Sequence, residues 1–276
     1  MQQVQPILTA HLFPELHEAL MALLRDLSPG EWQQPTACTG WTVRDVAAHL
    51  LGDDIGKLSA ARDGHRAGWF AVDSWEELVA AINGANEQWV RALKRMSPQL
   101  LCEFLDSTGQ QVTAFFATLD PHAMGGPVDW AGSDPAPVWL DLAREYTERW
   151  HHQQHIRDAV GKPGMTEPRY LHPILDTFLR ALPHTFRNIS APPETVVQIA
   201  ITGTAGGDWF LQRDAQAWHL CTAVDREPTT TVALDEERAW RLLTHGLGSA
   251  EARQNATIVG DVALGEHFFQ AVSIIA

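Results

Sequence analysis

Five side chains that can bind a metal or carry a proton lie within eleven consecutive residues, in the segment EYTERWHHQQH. The segment contains no glycine, proline or strand pattern, so it predicts one continuous helix. At about 100° per residue, one face of that helix carries Glu145, Glu148, His152 and His155. Imidazole and carboxylate groups are the donors that hold Zn²⁺ in proteins. Periodicity alone leaves a second interpretation open, namely a solvated polar face opposite an apolar one.

A further candidate ligand lies upstream, in the segment GWTVRDVAAHLLGDD. His49 falls there at the border of an apolar stripe on a second predicted helix, a position where a histidine is more often structural than a ligand. Together, however, the two helices offer His49, Glu148 and His152. Three protein donors from neighbouring helices leave the fourth position of a catalytic metal open.

The elements that position these residues are predicted to be helices up to about residue 188. Hydrophobic residues recur there with a helical period, and Thr42 followed by Asp45 marks the start of the His49 helix with a capping pair. Residues 120–137 are rich in glycine and proline and predict a long loop before the ligand-rich helix. Four or five helices of this length predict a bundle.

After residue 188 the hydrophobic pattern changes to a period of two. The runs TVVQIAITG, DWFLQRD, AWHLCTA and TTTVALD are bounded by turn residues and read as adjacent antiparallel strands. Helical runs over 235–245 and 262–274 accompany them. The predicted fold class is therefore α plus α+β, with a four-helix bundle over residues 1–187 and a small antiparallel sheet domain with helices over residues 188–276.

Two motifs in this order resemble a known family. GWTVRDVAAHL, followed by Glu148, His152 and Gly161, resembles the DinB-like superfamily and in particular the mycothiol-dependent maleylpyruvate isomerase family. The later segments TGTAGGDWFLQRD and IVGDVALGEHFF resemble the sterol-carrier-like domain that follows the bundle in that family, so the resemblance covers nearly the whole chain. It implies that His49, Glu148 and His152 are the metal ligands.

The resemblance also implies the cofactors and the chemistry. They are Zn²⁺ or another divalent metal, and a low-molecular-weight thiol such as mycothiol that binds as a thiolate. In the isomerase the thiolate adds to the double bond of a cis-enedioyl acid, which makes that bond rotatable, and expulsion of the thiol gives the trans product. In relatives the thiolate attacks another electrophile and stays attached, which makes the enzyme an S-transferase. The expected partners are therefore a small thiol and an electrophilic substrate.

The chain departs from the family pattern at His155, where the family commonly has an aspartate. We interpret His155 as a catalytic residue beside the ligands and His151 as structural. An acidic protein that collects an anionic substrate needs a local cation, and the candidates are Arg44, Arg149, Arg213 and Arg226. Among these we interpret Arg213 as catalytic, because it follows the glycines of TAGGDWF and can bind a carboxylate. Cys38, just ahead of the His49 helix, is interpreted as a small buried cysteine rather than a nucleophile.

Composition limits the function classes. Twenty Lys and Arg against 34 Asp and Glu give a net charge of −14, which disfavours nucleic acid and anionic membranes as partners. Three widely spaced cysteines offer no disulfide framework, and the chain shows neither a signal peptide nor a membrane-spanning run, so we expect a cytoplasmic protein. We also expect it to be a monomer or a homodimer. Two alternatives remain: a protein that binds apolar ligands and has a structural metal, and an interaction protein that has lost the metal.

Overall fold

The computed structural model describes residues 2–65, 74–132 and 135–273. Contacts between residues divide the chain into two compact units. The first, here called the helical unit, comprises Thr9–Asp120 and Glu145–Met165. The second, here called the sheet unit, comprises Met1–Leu8, Pro121–Arg144 and Thr166–Ile275.

The helical unit contains the predicted bundle. Its helices are α1 (Phe13–Asp26), α2 (Val43–Lys57), α3 (Trp75–Leu93), α4 (Pro98–Phe116) and the greater part of α5 (Val138–Ala159). Apolar side chains of several of these helices form one buried core, among them Leu24, Val46, Leu105 and Ile156. The packing of this core fixes how each helix is rotated about its axis.

The start of α2 is fixed by the capping pair that the sequence predicts. Asp45 Oδ2 accepts hydrogen bonds from the backbone N–H of Thr42 at 3.1 Å and from its hydroxyl at 3.0 Å. A cap of this kind satisfies amide groups that have no partner inside the helix. Val46 and Leu50, which share a face with the cap, are buried in the core, so His49 leaves the helix in a defined direction.

The sheet unit contains a six-stranded sheet in the order β1-β6-β5-β4-β7-β8 and a separate pair, β2 with β3. The strands are β1 (Gln2–Gln3), β2 (Met124–Pro127), β3 (Pro135–Pro137), β4 (Val196–Thr202), β5 (Gly207–Arg213), β6 (Trp218–Ala223), β7 (Thr230–Asp235) and β8 (Thr257–Gly260). The predicted fold class is confirmed, although the sheet is mixed rather than wholly antiparallel. The exception is β7, which runs parallel to β4 because the chain crosses the sheet after β6 and returns on the far side of β4.

Helices accompany this sheet. They are α6 (Pro168–Leu179), α7 (Leu182–Phe186), α8 (Glu236–Leu243), α9 (Ser249–Gln254) and α10 (Val262–Glu266). The spacing of apolar residues between about Pro168 and Phe186 predicts a single helix where the structure has α6 and α7. It is interrupted because Pro183 has no N–H to continue the helical hydrogen bonds of α6.

Contacts place α6 and α7 in the sheet unit. The indole N–H of Trp209 donates to Asp176 of α6 at 2.9 Å, and the rings of Phe186 and Trp218 meet edge to face at 5.4 Å. Each of these contacts joins a residue before the domain boundary predicted between residues 187 and 188 to a residue after it. The predicted domain boundary stays a prediction, and the two units defined by contacts are a separate description of the chain.

Within the described part of the chain, every helix is too short or too polar to cross a bilayer.

Candidate functional site

The three predicted ligands come together within the helical unit. Nε2 of His49, on α2, lies 3.3 Å from Oε1 of Glu148, on α5. Nε2 of His152, one turn further along α5, lies 2.9 Å from the same oxygen. The donor atoms of all three residues are within 4.8 Å of one another. Two imidazoles and a carboxylate thus face a common point, as the donors of a catalytic zinc site do.

The opposite face of α5 holds these donors in place. Tyr146 and Trp150 are each fully buried, and the indole N–H of Trp150 donates to the backbone oxygen of Met165 at 2.9 Å. Burial of two large aromatic side chains on one face leaves α5 little freedom to rotate. The face with Glu148 is therefore turned toward α2.

A fourth donor, Asp53, tests whether these residues fit a cation. It lies one turn after His49 on α2, and its Oδ2 atom is 3.3 Å from His49 Nε2. That oxygen is buried and makes no hydrogen bond to any residue that the structure describes. A buried carboxylate oxygen without a hydrogen bond costs free energy, and a cation beside it removes that cost. The donor set therefore fits a divalent metal.

Charges in this cluster are strongly perturbed. Burial opposes ionisation of both members of the Glu148 and His152 pair, but their mutual attraction outweighs it. The pKa of Glu148 is held well below its usual range, and the pKa of His152 is raised well above its own. Burial, reinforced by the charge of Glu148 and opposed by His49, raises the pKa of Asp53 to about 6. A cation that binds His152 Nε2 must therefore displace a proton.

A second group of donors adjoins the first. Sγ of Cys38 lies 3.1 Å from Nδ1 of His155 and 3.9 Å from Nδ1 of His152. Burial would raise the pKa of the Cys38 thiol, but hydrogen bonds from these two histidines outweigh it and lower the pKa to about 6. The sequence interpretation of Cys38 as a plain buried cysteine missed this contact. The available signal was its place in TACTGW, directly before α2.

A tight turn holds Cys38 in this position. The N–H of Trp41 donates to the backbone oxygen of Cys38 at 2.9 Å, and the N–H of Cys38 donates to the hydroxyl of Thr36 at 3.2 Å. Gly40, third in the turn, has φ of +81°, a conformation that L-residues with a Cβ rarely adopt. The glycine therefore allows the turn that aims Cys38 at α5.

Glu145 lies on the same predicted face of α5 but is taken up by cations. Its carboxylate accepts a hydrogen bond from Arg149 at 2.6 Å and forms an ion pair with Lys57 at 2.8 Å. Arg149 also donates to Asp54 at 2.9 Å, and Asp54 accepts from the hydroxyl of Thr108 at 2.8 Å. This buried network of opposite charges explains why the α5 segment carries more acidic residues than a metal needs.

The other candidate arginines have different surroundings. Arg44 is buried and donates to the backbone oxygen of Leu93, and Arg226 is paired with Glu194 on the surface. Arg213 lies at the end of β5 in the sheet unit, where Nε and Nη1 are buried and make no hydrogen bond within the described residues. Its catalytic role stays a prediction.

Aromatic rings surround the donors. The ring of Trp41 lies 5.2 Å from that of His49, and the buried ring of His151 lies 4.1 Å from that of His155. Such rings limit the access of water to one side of the cluster and strengthen its electrostatic interactions.

A family model matches the part of the chain that carries the candidate ligands. It is described as the mycothiol maleylpyruvate isomerase N-terminal domain and matches residues 13–157, a range that includes every candidate metal ligand named above. Two uncharacterized proteins of Mycobacterium tuberculosis, from two strains, are each 27% identical over 195 residues, which is 69% of this chain and 71% of theirs.

Solved structures show the same fold. The crystal structure of the mycothiol-dependent maleylpyruvate isomerase matches with a TM-score of 0.56 at 11% identity and covers 95% of this chain and 98% of that one. A histidine-to-alanine mutant of that isomerase matches with a TM-score of 0.55 over the same shares. At this identity the likeness concerns the fold.

Proposed function

Because the chain belongs to the family of the mycothiol maleylpyruvate isomerase N-terminal domain, we propose that it is a metal-dependent enzyme that uses mycothiol or a related low-mass thiol. Its substrate is an electrophilic cis-enedioyl acid of the maleylpyruvate type. The observation that carries this proposal is the convergence of His49, Glu148 and His152 at 2.9 and 3.3 Å within one packed unit.

These three residues would hold the metal, as zinc or another divalent cation. A cation bound there would lower the pKa of a low-mass thiol, so that the thiolate is present near neutral pH. Three protein donors leave a coordination position for such a thiol.

The neighbouring residues would bind and move protons. Oδ2 of Asp53 makes no hydrogen bond to a described residue and so has lone pairs free to take the proton of an incoming thiol and pass it to solvent. Nδ1 of His155 would hold the ring of His152 in one orientation through their 3.4 Å contact. Trp41, beside His49, would exclude water from that side.

Two outcomes of the chemistry are distinguishable by mass balance. In cis-trans isomerisation the thiol adds and leaves again, so it is not consumed. In an S-transferase the new carbon–sulfur bond remains, and one thiol is consumed for each product. We propose isomerisation, and net consumption of the thiol would assign the chain to the transferases.

The test is a turnover assay with full-length, zinc-loaded protein, mycothiol and maleylpyruvate, followed by mass spectrometry. We expect the trans isomer without loss of thiol. Glu148→Gln should abolish turnover, because it removes a charged ligand, whereas Glu18→Gln, at an exposed position of the same unit, should leave it unchanged. Zinc-loaded protein that converts neither maleylpyruvate nor any member of a panel of electrophiles with mycothiol or another low-mass thiol would overturn the proposal.

A further inference from the structure

The ring of His152 faces a different donor set on each side. Its Nε2 atom lies 2.9 Å from Glu148, in the proposed metal centre. Its Nδ1 atom lies 3.4 Å from Nδ1 of His155 and 3.9 Å from Sγ of Cys38. The second side of the ring supplies no ligand to the proposed metal centre.

The distances on this second side are those of a ligand set. Sγ of Cys38 and the two Nδ1 atoms are separated by 3.1, 3.4 and 3.9 Å. A tetrahedral Zn²⁺, with bonds of about 2.3 Å to sulfur and about 2.05 Å to nitrogen, sets its donors about 3.3 to 3.6 Å apart. The three observed separations therefore bracket the distances between donors that a cation would impose.

In metal-free protein the thiolate of Cys38 can accept hydrogen bonds from both imidazoles, and a cation bound by the same atoms would take the place of those protons. The three donors come from a loop and a helix, and the turn at Gly40 fixes the backbone of Cys38. His155 is buried, whereas Cys38 is half-buried and leaves a route for an ion.

We propose that Cys38, His152 and His155 form a second metal position, suited to a borderline-soft cation such as Zn²⁺ or Co²⁺. Thiolate and imidazole are the donors that such cations prefer. The position goes beyond the proposed function and shares only His152 with the proposed metal centre. It gives His155, where the family commonly has an aspartate, a role as a ligand.

The shared ring separates the two positions in experiments. A neutral imidazole has one lone pair for a metal, so simultaneous binding on both sides requires loss of the remaining ring proton. His152 variants would therefore damage both positions and distinguish nothing. His49→Ala removes a ligand of the first position only, and Cys38→Ser removes a ligand of the second only.

The test is a Co²⁺ titration of metal-free, full-length protein, monitored by absorption. Cobalt bound to a thiolate gives a sulfur-to-metal charge-transfer band in the near ultraviolet, and cobalt bound to nitrogen and oxygen alone does not. We expect the band in the wild type and in His49→Ala, and its loss in Cys38→Ser. Cys102→Ser is the matched control, since Cys102 is a buried cysteine of the same unit that belongs to neither group of candidate ligands found among the described residues, and it should keep the band.

His155→Gln provides a second variant in case Cys38→Ser does not fold. In the His49→Ala background we expect it to weaken cobalt binding at least about tenfold, because a metal contact is lost. Absence of the band from both wild type and His49→Ala at excess Co²⁺ would overturn the second position. So would a band that survives in Cys38→Ser. A band in His49→Ala without any thiol-dependent turnover of the wild type would support this position while contradicting the proposed function.

Discussion

His49 Nε2 and Glu148 Oε1 lie 3.3 Å apart, although ninety-nine residues separate them in the sequence. Each is carried by a helix that buries a different apolar face in the same unit, Val46 on α2 and Trp150 on α5. The donor set is therefore a product of helix packing, which holds both side chains in place. Such preorganisation is what a catalytic metal centre requires.

The first prediction concerns the metal content of purified protein. We expect tightly bound divalent metal, preferably zinc, and a loss of about one equivalent per chain in His49→Ala relative to the wild type, because that substitution removes a ligand of the first position only. Elemental analysis after gel filtration measures this. His11→Ala, at an exposed position of the same unit, is the control and should keep the metal. Equal metal content in both variants would end the ligand assignment.

The second prediction is that removal of the metal does not unfold the helical unit. Its core includes Leu24, Leu50, Leu105 and other side chains whose burial does not depend on the cation. Chelation should therefore lower the melting temperature, since a ligand of the native state is lost, but leave the far-ultraviolet circular dichroism at 25 °C unchanged. A loss of helical signal on chelation would show instead that the metal is needed for folding, as in zinc fingers.

The third prediction concerns the charge network beside the centre. Arg149→Met leaves the buried carboxylates of Asp54 and Glu145 without their shared cation. Removal of one partner of such a buried network costs about 3–5 kcal/mol in the free energy of unfolding, which urea titration measures.

Arg25→Met is the control for that substitution. Arg25 pairs with Asp106 on the surface of the same unit, with 56% of its side chain exposed. We expect a change of less than about 1 kcal/mol. If both variants lost the same free energy, the network around Arg149 would contribute no more than a surface pair.

The fourth prediction concerns the pH dependence of Cys38 in metal-free protein. With a pKa of about 6, its alkylation by iodoacetamide should reach half its maximal rate near pH 6. Folding lowers this pKa, so the stability that the thiolate contributes is complete above the ordinary value of about 8.5 and is lost as the pH falls through about 6.

Cys102 is the internal control in the same experiment, read out by peptide mass spectrometry. Burial raises the pKa of its thiol, so it should react slowly and only at higher pH. His155→Ala should move the Cys38 profile upward, because it removes a hydrogen bond to the thiolate. A Cys38 profile that coincides with that of an unperturbed thiol would contradict the contacts described for it.

Much of the helical unit was predictable because its signals are local. Thr42 and Asp45 mark the start of α2 within four residues, and Glu148 and His152 share a face through the helical period alone. His49 was already a candidate from its place on a predicted helix, the resemblance to the family favoured it as a ligand, and the family match confirms that resemblance. The roles of these ligands stay proposals.

What the sequence did not reveal depends on contacts between distant segments. Glu145 was indistinguishable from a ligand by periodicity, and only the approach of Lys57, from another helix, assigns it to an ion network. The contact of Cys38 with His155 depends on the turn at Gly40 and spans 117 residues. The parallel pairing of β4 with β7 likewise follows from a chain crossing, which strand periodicity does not encode.

The proposed function requires that a metal held by His49, Glu148 and His152 binds a low-mass thiol as its thiolate. Calorimetric titration of mycothiol into zinc-loaded protein at pH 7, repeated in two buffers of different ionisation enthalpy, measures the protons released on binding. A free thiol with a pKa of about 8.5 is mostly protonated at that pH, so we predict release of about one proton per thiol bound. Binding should disappear in His49→Ala. Thiol binding of equal strength to zinc-loaded and chelated protein, or binding without proton release, would contradict the account.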